Sequence, residues 1–83
     1  ICLKVTPNPS NGLFQVSFDV TRRADLVVEV LNASGQTMYR NTQSNFIGRY
    51  NKQISLAQPA SDVYLLKISH DRKVYTEKII IQR

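Results

Sequence analysis

The chain has 83 residues, 42% of them hydrophobic, with three glycines, three prolines, one cysteine and a formal charge of +5. That length holds one modest core and no second domain, burying roughly 60 to 65% of the extended chain's surface on folding. The apolar residues come in short runs along the whole chain, which argues against both disorder and a membrane-spanning helix.

Residues 1–5 are a short apolar run with one lysine, unlike a signal peptide, so the chain is expected to be part of a longer protein. Pro7-Asn8-Pro9-Ser10-Asn11-Gly12 follows. Two prolines without N–H donors and a glycine open to positive φ make this a rigid turn. Residues 13–20 are the clearest strand: Phe14, Val16, Phe18 and Val20 fall on one face, Gln15, Ser17 and Asp19 on the other. A second strand is expected over residues 25–31. Leu26, Val28 and Val30 share a face there, and Val27 and Leu31 make the opposite face partly apolar, which suggests a more enclosed position.

Asn32-Ala33-Ser34-Gly35 fits a tight hairpin with Gly35 in the left-handed region, leading into a strand over residues 36–40. Residues 41–45 are polar and read as a loop. Gly48 then opens a strand over residues 49–56, in which Tyr50, Ile54 and Leu56 share a face interrupted by Lys52, as at a sheet edge. Gln58-Pro59-Ala60-Ser61 turns the chain into residues 63–68, the densest apolar run and the expected central strand. His70-Asp71-Arg72-Lys73 closes a hairpin onto residues 74–82. A two-residue turn at Asp71 and Arg72 sets Leu66 opposite Glu77, whereas an odd-length loop sets it opposite Thr76; the pattern alone leaves both open. Ile79-Ile80-Ile81 is apolar on both faces, so the last strand is expected to be paired and largely buried. No window holds a helical period. The fold class is therefore all-β, an immunoglobulin-like antiparallel β-sandwich of about seven short strands, without the Cys and Trp of true immunoglobulin domains.

Little here carries chemistry. The eleven Lys and Arg residues are scattered, with Arg22-Arg23 and Arg72-Lys73 as the tightest groups, each near an aspartate. Such spacing favours a solvated surface over nucleic-acid binding, which needs clustered cations. Cys2 is alone, so an internal disulfide and a thiolate metal site are excluded, and it reads as a buried thiol or an incidental one at the start of the segment. His70 has no glycine-flanked serine, second histidine or cysteine with which to build a nucleophile or metal centre, and Asp71 beside it is turn chemistry. Asp25 and Glu29 share a strand face and are read as hydrated. No catalytic residue, metal or cofactor is expected. Asn32-Ala33-Ser34 matches a glycosylation acceptor but has a complete turn explanation. Tyr39, Tyr50, Tyr64 and Tyr75 are read as core residues with hydroxyls at the sandwich rim.

Taken in order, Pro7-Asn8-Pro9-Ser10-Asn11-Gly12 before an alternating strand, Asn32-Ala33-Ser34-Gly35-Gln36, Gly48-Arg49-Tyr50, Ala60-Ser61-Asp62-Val63-Tyr64-Leu65-Leu66-Lys67-Ile68 and Lys73-Val74-Tyr75-Thr76-Glu77-Lys78-Ile79-Ile80-Ile81-Gln82 resemble one family across almost the whole chain. It is the C-terminal sorting domain of type IX secretion substrates from Bacteroidetes-type bacteria. Asp62 departs from the glycine usual there, and aspartate is among the residues that best accept a left-handed φ. Asp71-Arg72 departs from the family's frequent glycine or asparagine. The resemblance implies a secretion signal behind an N-terminal passenger, read by outer-membrane machinery after transit through the periplasm. It also implies removal by a sortase-like cysteine peptidase that can fix the passenger to surface lipopolysaccharide.

On this reading residues 1–83 are one sorting domain that is a substrate and no enzyme. The hairpin over residues 63–83 is expected to dock, with Lys73 and Lys78 orienting it and Ile79, Ile80, Ile81, Gln82 and Arg83 completing the surface. Pro7, Asn8, Pro9, Gly12, Gly35 and Gly48 are expected to hold the turns. Exposed edges permit a weak dimer. A rival reading from another class is an adhesion module presenting residues 41–47 as a loop to a carbohydrate or protein, and a third is an inert spacer.

Overall fold

The structure, a computed structural model, describes residues 2–8, 11–56 and 60–82. These form five strands: β1 (Lys4–Thr6), β2 (Leu13–Leu31), β3 (Thr37–Ser55), β4 (Asp62–His70) and β5 (Lys73–Ile81). All pairings are antiparallel, and β2 organises them. Its first half lies between β1 and the second half of β3, and its second half between β4 and the first half of β3. β5 adds outside β4. The sheet curls so that its two halves stack as the layers of a sandwich.

The curl comes from the middle of the two long strands. Register shifts between Val20 and Ala24, and between Ala24 and Leu26, bulge β2. Opposite them, β3 carries Asn45 at φ 53° and Gly48 at φ 101°. Bulges bend a strand and increase its twist, and here both strands pass from one layer to the other at the same level. Nearby side chains take the backbone groups of Asn45: its N–H donates to Asp25 Oδ1 at 3.1 Å, and its carbonyl accepts from Arg23 Nη1 at 2.9 Å.

Alternation does the rest. Phe14, Val16, Phe18 and Val20 from one layer meet Leu26, Val28, Val30, Tyr64, Leu66, Ile68, Ile79 and Ile81 from the other, all buried. Tyr50, Ile54 and Leu56 complete the fifteen buried hydrophobic side chains. At about 1.5–3 kcal/mol for a fully buried large side chain, this core far outweighs the two ion pairs among the described residues, Arg22–Asp71 and Arg49–Asp19. Exposed pairs contribute about 1 kcal/mol at most.

Several expectations hold. β4 is central, flanked by β2 and β5. The register of the last hairpin, which the sequence pattern leaves open, is that of a two-residue turn: His70 pairs with Lys73 and Leu66 with Glu77, with Asp71 at φ 51° and Arg72 at φ 62°. Two consecutive positive φ values are the type I′ signature, whose twist matches that of the flanking strands.

Others need correction. The described residues form five strands, not seven, because the strands expected over residues 13–20 and 25–31 are the single β2, and those expected over 36–40 and 49–56 are the single β3. Residues 41–45 are strand and not loop: Asn41, Thr42 and Gln43 pair with Val28, Val27 and Leu26. Their side chains are polar because the inward ones, Asn41 and Gln43, are only half-buried at the rim. Gly48 bends a continuous strand instead of opening one. Asp62 needs no left-handed φ; it begins β4 and its Oδ1 accepts the Val63 N–H at 2.7 Å. Cys2 is exposed. Asp25 is a hydrogen-bond acceptor for Asn45, not simply hydrated. Pro9 and Arg83 lie outside the described residues, as does part of the turn before β4.

Candidate functional site

The polar groups that could do chemistry are occupied structurally. His70 is buried on β4, with Nε2 3.3 Å from the Phe46 carbonyl. Its neighbour Asp71 pairs with Arg22 at 3.3 Å across the hairpin end. Tyr50 stacks on Phe18 with ring centroids 4.8 Å apart, and its hydroxyl donates to Asn41 Oδ1 at 3.2 Å. Burial pushes its phenol up to about 12, and the neighbouring Tyr39 hydroxyl adds to the shift. Tyr64 is the other fully buried tyrosine and donates from its hydroxyl to the Ala60 carbonyl at 2.9 Å. Among the described residues no three His, Cys, Asp or Glu side chains gather where they could hold a metal.

The turn residues do what their chemistry allows. Asn32 Oδ1 accepts from the Ser34 N–H at 3.1 Å, the Ser34 hydroxyl at 2.8 Å and the Gln36 N–H at 2.8 Å, with Gly35 at φ 87°. Nothing lies within 4 Å of where a Cβ on Gly48 would sit, so glycine is required there by φ and not by space. Gly12 has φ 107°, and its carbonyl accepts the Leu56 N–H at 2.9 Å.

Asn8 does more than turn the chain. Its Nδ2 donates to the Lys78 carbonyl at 3.1 Å, and its Oδ1 accepts the Ile80 N–H at 3.0 Å. One side chain from the start of the domain thus grips the outer edge of the last strand, 70 and 72 residues away in sequence. Sequence reasoning treated Asn8 as a turn residue, since no local signal shows that a carboxamide will reach a distant strand.

The terminal hairpin divides by parity. Ile79 and Ile81 are buried, 0% and 1% exposed, whereas Ile80 is 41% exposed on the outer face. Lys73, Lys78 and Gln82 are exposed. Lys73 sits at the turn, on the same side of β5 as Ile79, and Lys78 shares the outer face with Ile80. The structure therefore does not gather the expected docking residues into one patch. On that outer face Val63 stands opposite Ile80, and Leu65 opposite Lys78. Beside them Leu31, Ala33, Gly35, Val63, Leu65 and Lys78 line a shallow groove of about 360 Å³. The outer face of the other layer is polar, carrying Gln15 hydrogen-bonded to Asn51 at 2.5 Å and the Asp19–Arg49 pair at 3.0 Å.

The family model of the secretion system C-terminal sorting domain matches residues 4–82. The chain belongs to that family. It is a sorting signal of type IX secretion, and sorting domains of this kind are not an enzyme family. Membership implies a passenger on the N-terminal side, type IX machinery as the reader, and export to the cell surface or medium. No curated protein matches the chain. For a sorting domain the useful surface is what a reader can touch, namely exposed strand edges, the outer face of β4 and β5, and the turns. The stretch at residues 41–47, which an adhesion module would present as a loop, lies within β3.

Proposed function

We propose that residues 1–83 act as a single folded address on an exported passenger. The outer-membrane type IX machinery reads it, and a sortase-like cysteine peptidase then removes it and fixes the passenger to surface lipopolysaccharide. The observation that carries this reading is the family match over nearly the whole chain. The docking element is the β4–β5 hairpin. Lys73 and Lys78 supply long-range orientation, and Ile80 and Gln82 supply contact. Ile79 and Ile81 act indirectly, by holding β5 on the core. In the sequence Pro7, Asn8 and Pro9 precede β2 and Arg83 follows β5, and Gly12, Gly35 and Gly48 shape the fold that presents this surface.

This division sets the experiment. Deleting residues 79–83 removes two buried isoleucines together with the surface, so loss of export would not separate folding from recognition. Lys73→Glu with Lys78→Glu changes exposed charge and leaves the core intact. Export of a reporter passenger is expected to fall with this double variant, while its urea midpoint stays within about 1 M of the parent. Undiminished export would remove the two lysines from the recognition surface.

A further inference from the structure

We propose that the free edge of β5 is a strand-addition site for an acidic extended segment of a partner protein, with the Asn8 carboxamide as its displaceable plug. The proposal rests on the reading of this domain as something docked by secretion machinery, and names the edge and the chemistry that docking would use.

β5 has one ladder neighbour among the described residues, β4, and the register between them runs unbroken from Asp62–Ile81 to His70–Lys73. In an antiparallel pair, alternate residues turn their N–H and C=O groups toward the partner and the others turn theirs away. The bonds to Asn8 fix the parity, because the Ile80 N–H and the Lys78 carbonyl both point outward. Val74 and Thr76 therefore present their backbone groups along the same edge. A primary carboxamide that donates to one strand carbonyl and accepts from the next N–H but one makes the pair of bonds an added strand residue would make. Among the described residues the edge is thus engaged in β-type pairing at one end and open over the rest.

Sheet proteins block such edges with prolines, bulges, inward-pointing charges or lysines, and lysines repel a basic strand while admitting an acidic one. β5 carries no proline and no register shift. The long free edge of β3 differs, since it is broken by positive φ at Asn45 and Gly48 where the strand changes layer. Pro7, next to the plug, lacks an N–H and cannot extend the pairing as a strand. The Asn8 side chain itself covers the edge only at Lys78 and Ile80.

Charge selects the occupant. Lys73 and Lys78 stand at the two ends of the open stretch, both exposed; Glu77 between them is the strand's one carboxylate, so the lysines still outnumber it, and the two ion pairs among the described residues use none of the three. Arg72 in the adjoining turn is exposed as well. A second copy would bring the same net +5 and the same lysines against this edge, whereas a partner strand bearing carboxylates complements them. Val74, 59% exposed, and Ile80, 41% exposed, add apolar contact on the outer face. Backbone bonds supply adhesion and alternate side chains supply selectivity, as in other strand-addition sites.

Hydrogen exchange read by mass spectrometry on the full-length protein tests this. The probes are a ten-residue peptide alternating threonine with glutamate and its threonine–lysine counterpart. The glutamate peptide is expected to slow exchange across residues 73–80, and the lysine peptide is not. Asn8→Ala is expected to tighten glutamate-peptide binding several-fold, and Lys73→Glu with Lys78→Glu to weaken it roughly ten-fold. Should Asn8→Ala unfold, Asn8→Asp serves, since it keeps the acceptor for Ile80 and loses the donor to Lys78. Equal protection by both peptides, protection confined to β3, self-association through this edge, or an edge already slow to exchange without peptide would overturn the proposal. Export that needs the domain but ignores both sets of variants would sink the edge and leave the sorting reading standing. Peptide capture at β5 with export indifferent to the domain would do the reverse.

Discussion

Ile79→Ala and Ile80→Ala remove the same three carbon atoms from neighbouring positions of one strand, and the sandwich predicts very different costs. Ile79 is 0% exposed within the hydrophobic core, while Ile80 is 41% exposed on the outer face. At about 0.8 kcal/mol per buried CH₂, truncating Ile79 forfeits roughly 2.4 kcal/mol of transfer free energy. The cavity left between the layers raises this to about 3–4 kcal/mol, within the usual range for Ile→Ala in a core. Ile80 leaves no enclosed cavity and was never fully dry, so its truncation costs about 1 kcal/mol or less. The strand-propensity change is common to both and cancels in the comparison. A domain of this size is stable by roughly 4–12 kcal/mol. Ile79→Ala is therefore folded with a narrowed margin, and losing Ile81 as well leaves little or none. Urea denaturation measures the difference: with a slope near 1 kcal/mol/M, the Ile79 variant's midpoint falls by about 3 M and the Ile80 variant's by less than 1 M. Equal shifts, or a larger shift for Ile80, would show that β5 does not lie with this face on the core.

Further outcomes follow from single positions. Arg72 holds φ 62° in the type I′ turn, and Arg72→Gly removes a side chain from a conformation that costs about 1 kcal/mol; the melting temperature is expected to rise by roughly 4–8 °C, and a fall would refute the turn assignment. Gly48→Ala meets no atoms but is forced to φ 101°, so a loss of about 1 kcal/mol or more is expected in chemical denaturation, with no loss if β3 is not bent there. The Tyr50 phenol, pushed up to about 12 from an ordinary value near 10, binds its proton more tightly folded than unfolded. Its contribution to stability is complete below pH 10 and is lost as the pH rises toward 12. Alkaline denaturation of the parent should be steeper in that window than that of Tyr50→Phe, and identical profiles would contradict its burial.

Much of this fold is legible in the sequence because side-chain alternation and turn chemistry agree. Phe14, Val16, Phe18 and Val20 declare a face, Asn32 and Gly35 declare a hairpin, and the run from Val63 to Ile68 declares a central strand. What stayed hidden follows from backbone pairing. Residues 41–45 carry no apolar alternation because their inward side chains sit at the rim, yet their N–H and C=O groups complete the ladder with β2. The bend at residues 21–25 reads as a gap between two strands, since a bulge and a loop interrupt the period alike. The last register was open because Ile79, Ile80 and Ile81 supply an apolar residue to either face; the positive φ of both Asp71 and Arg72 decides it. The recognition reading came from motifs and their order, whereas the grip of Asn8 on β5 depends on two segments that only the folded sandwich brings together.

The central claim is that these residues are a folded address for export. The direct measurement is the fraction of a reporter passenger that reaches the cell exterior in a host with a working type IX system, with and without residues 1–83 at its C-terminal end. Export that requires the domain and disappears when the host's type IX machinery is disabled is the expected result. A reporter that reaches the exterior equally well without these residues would contradict the account.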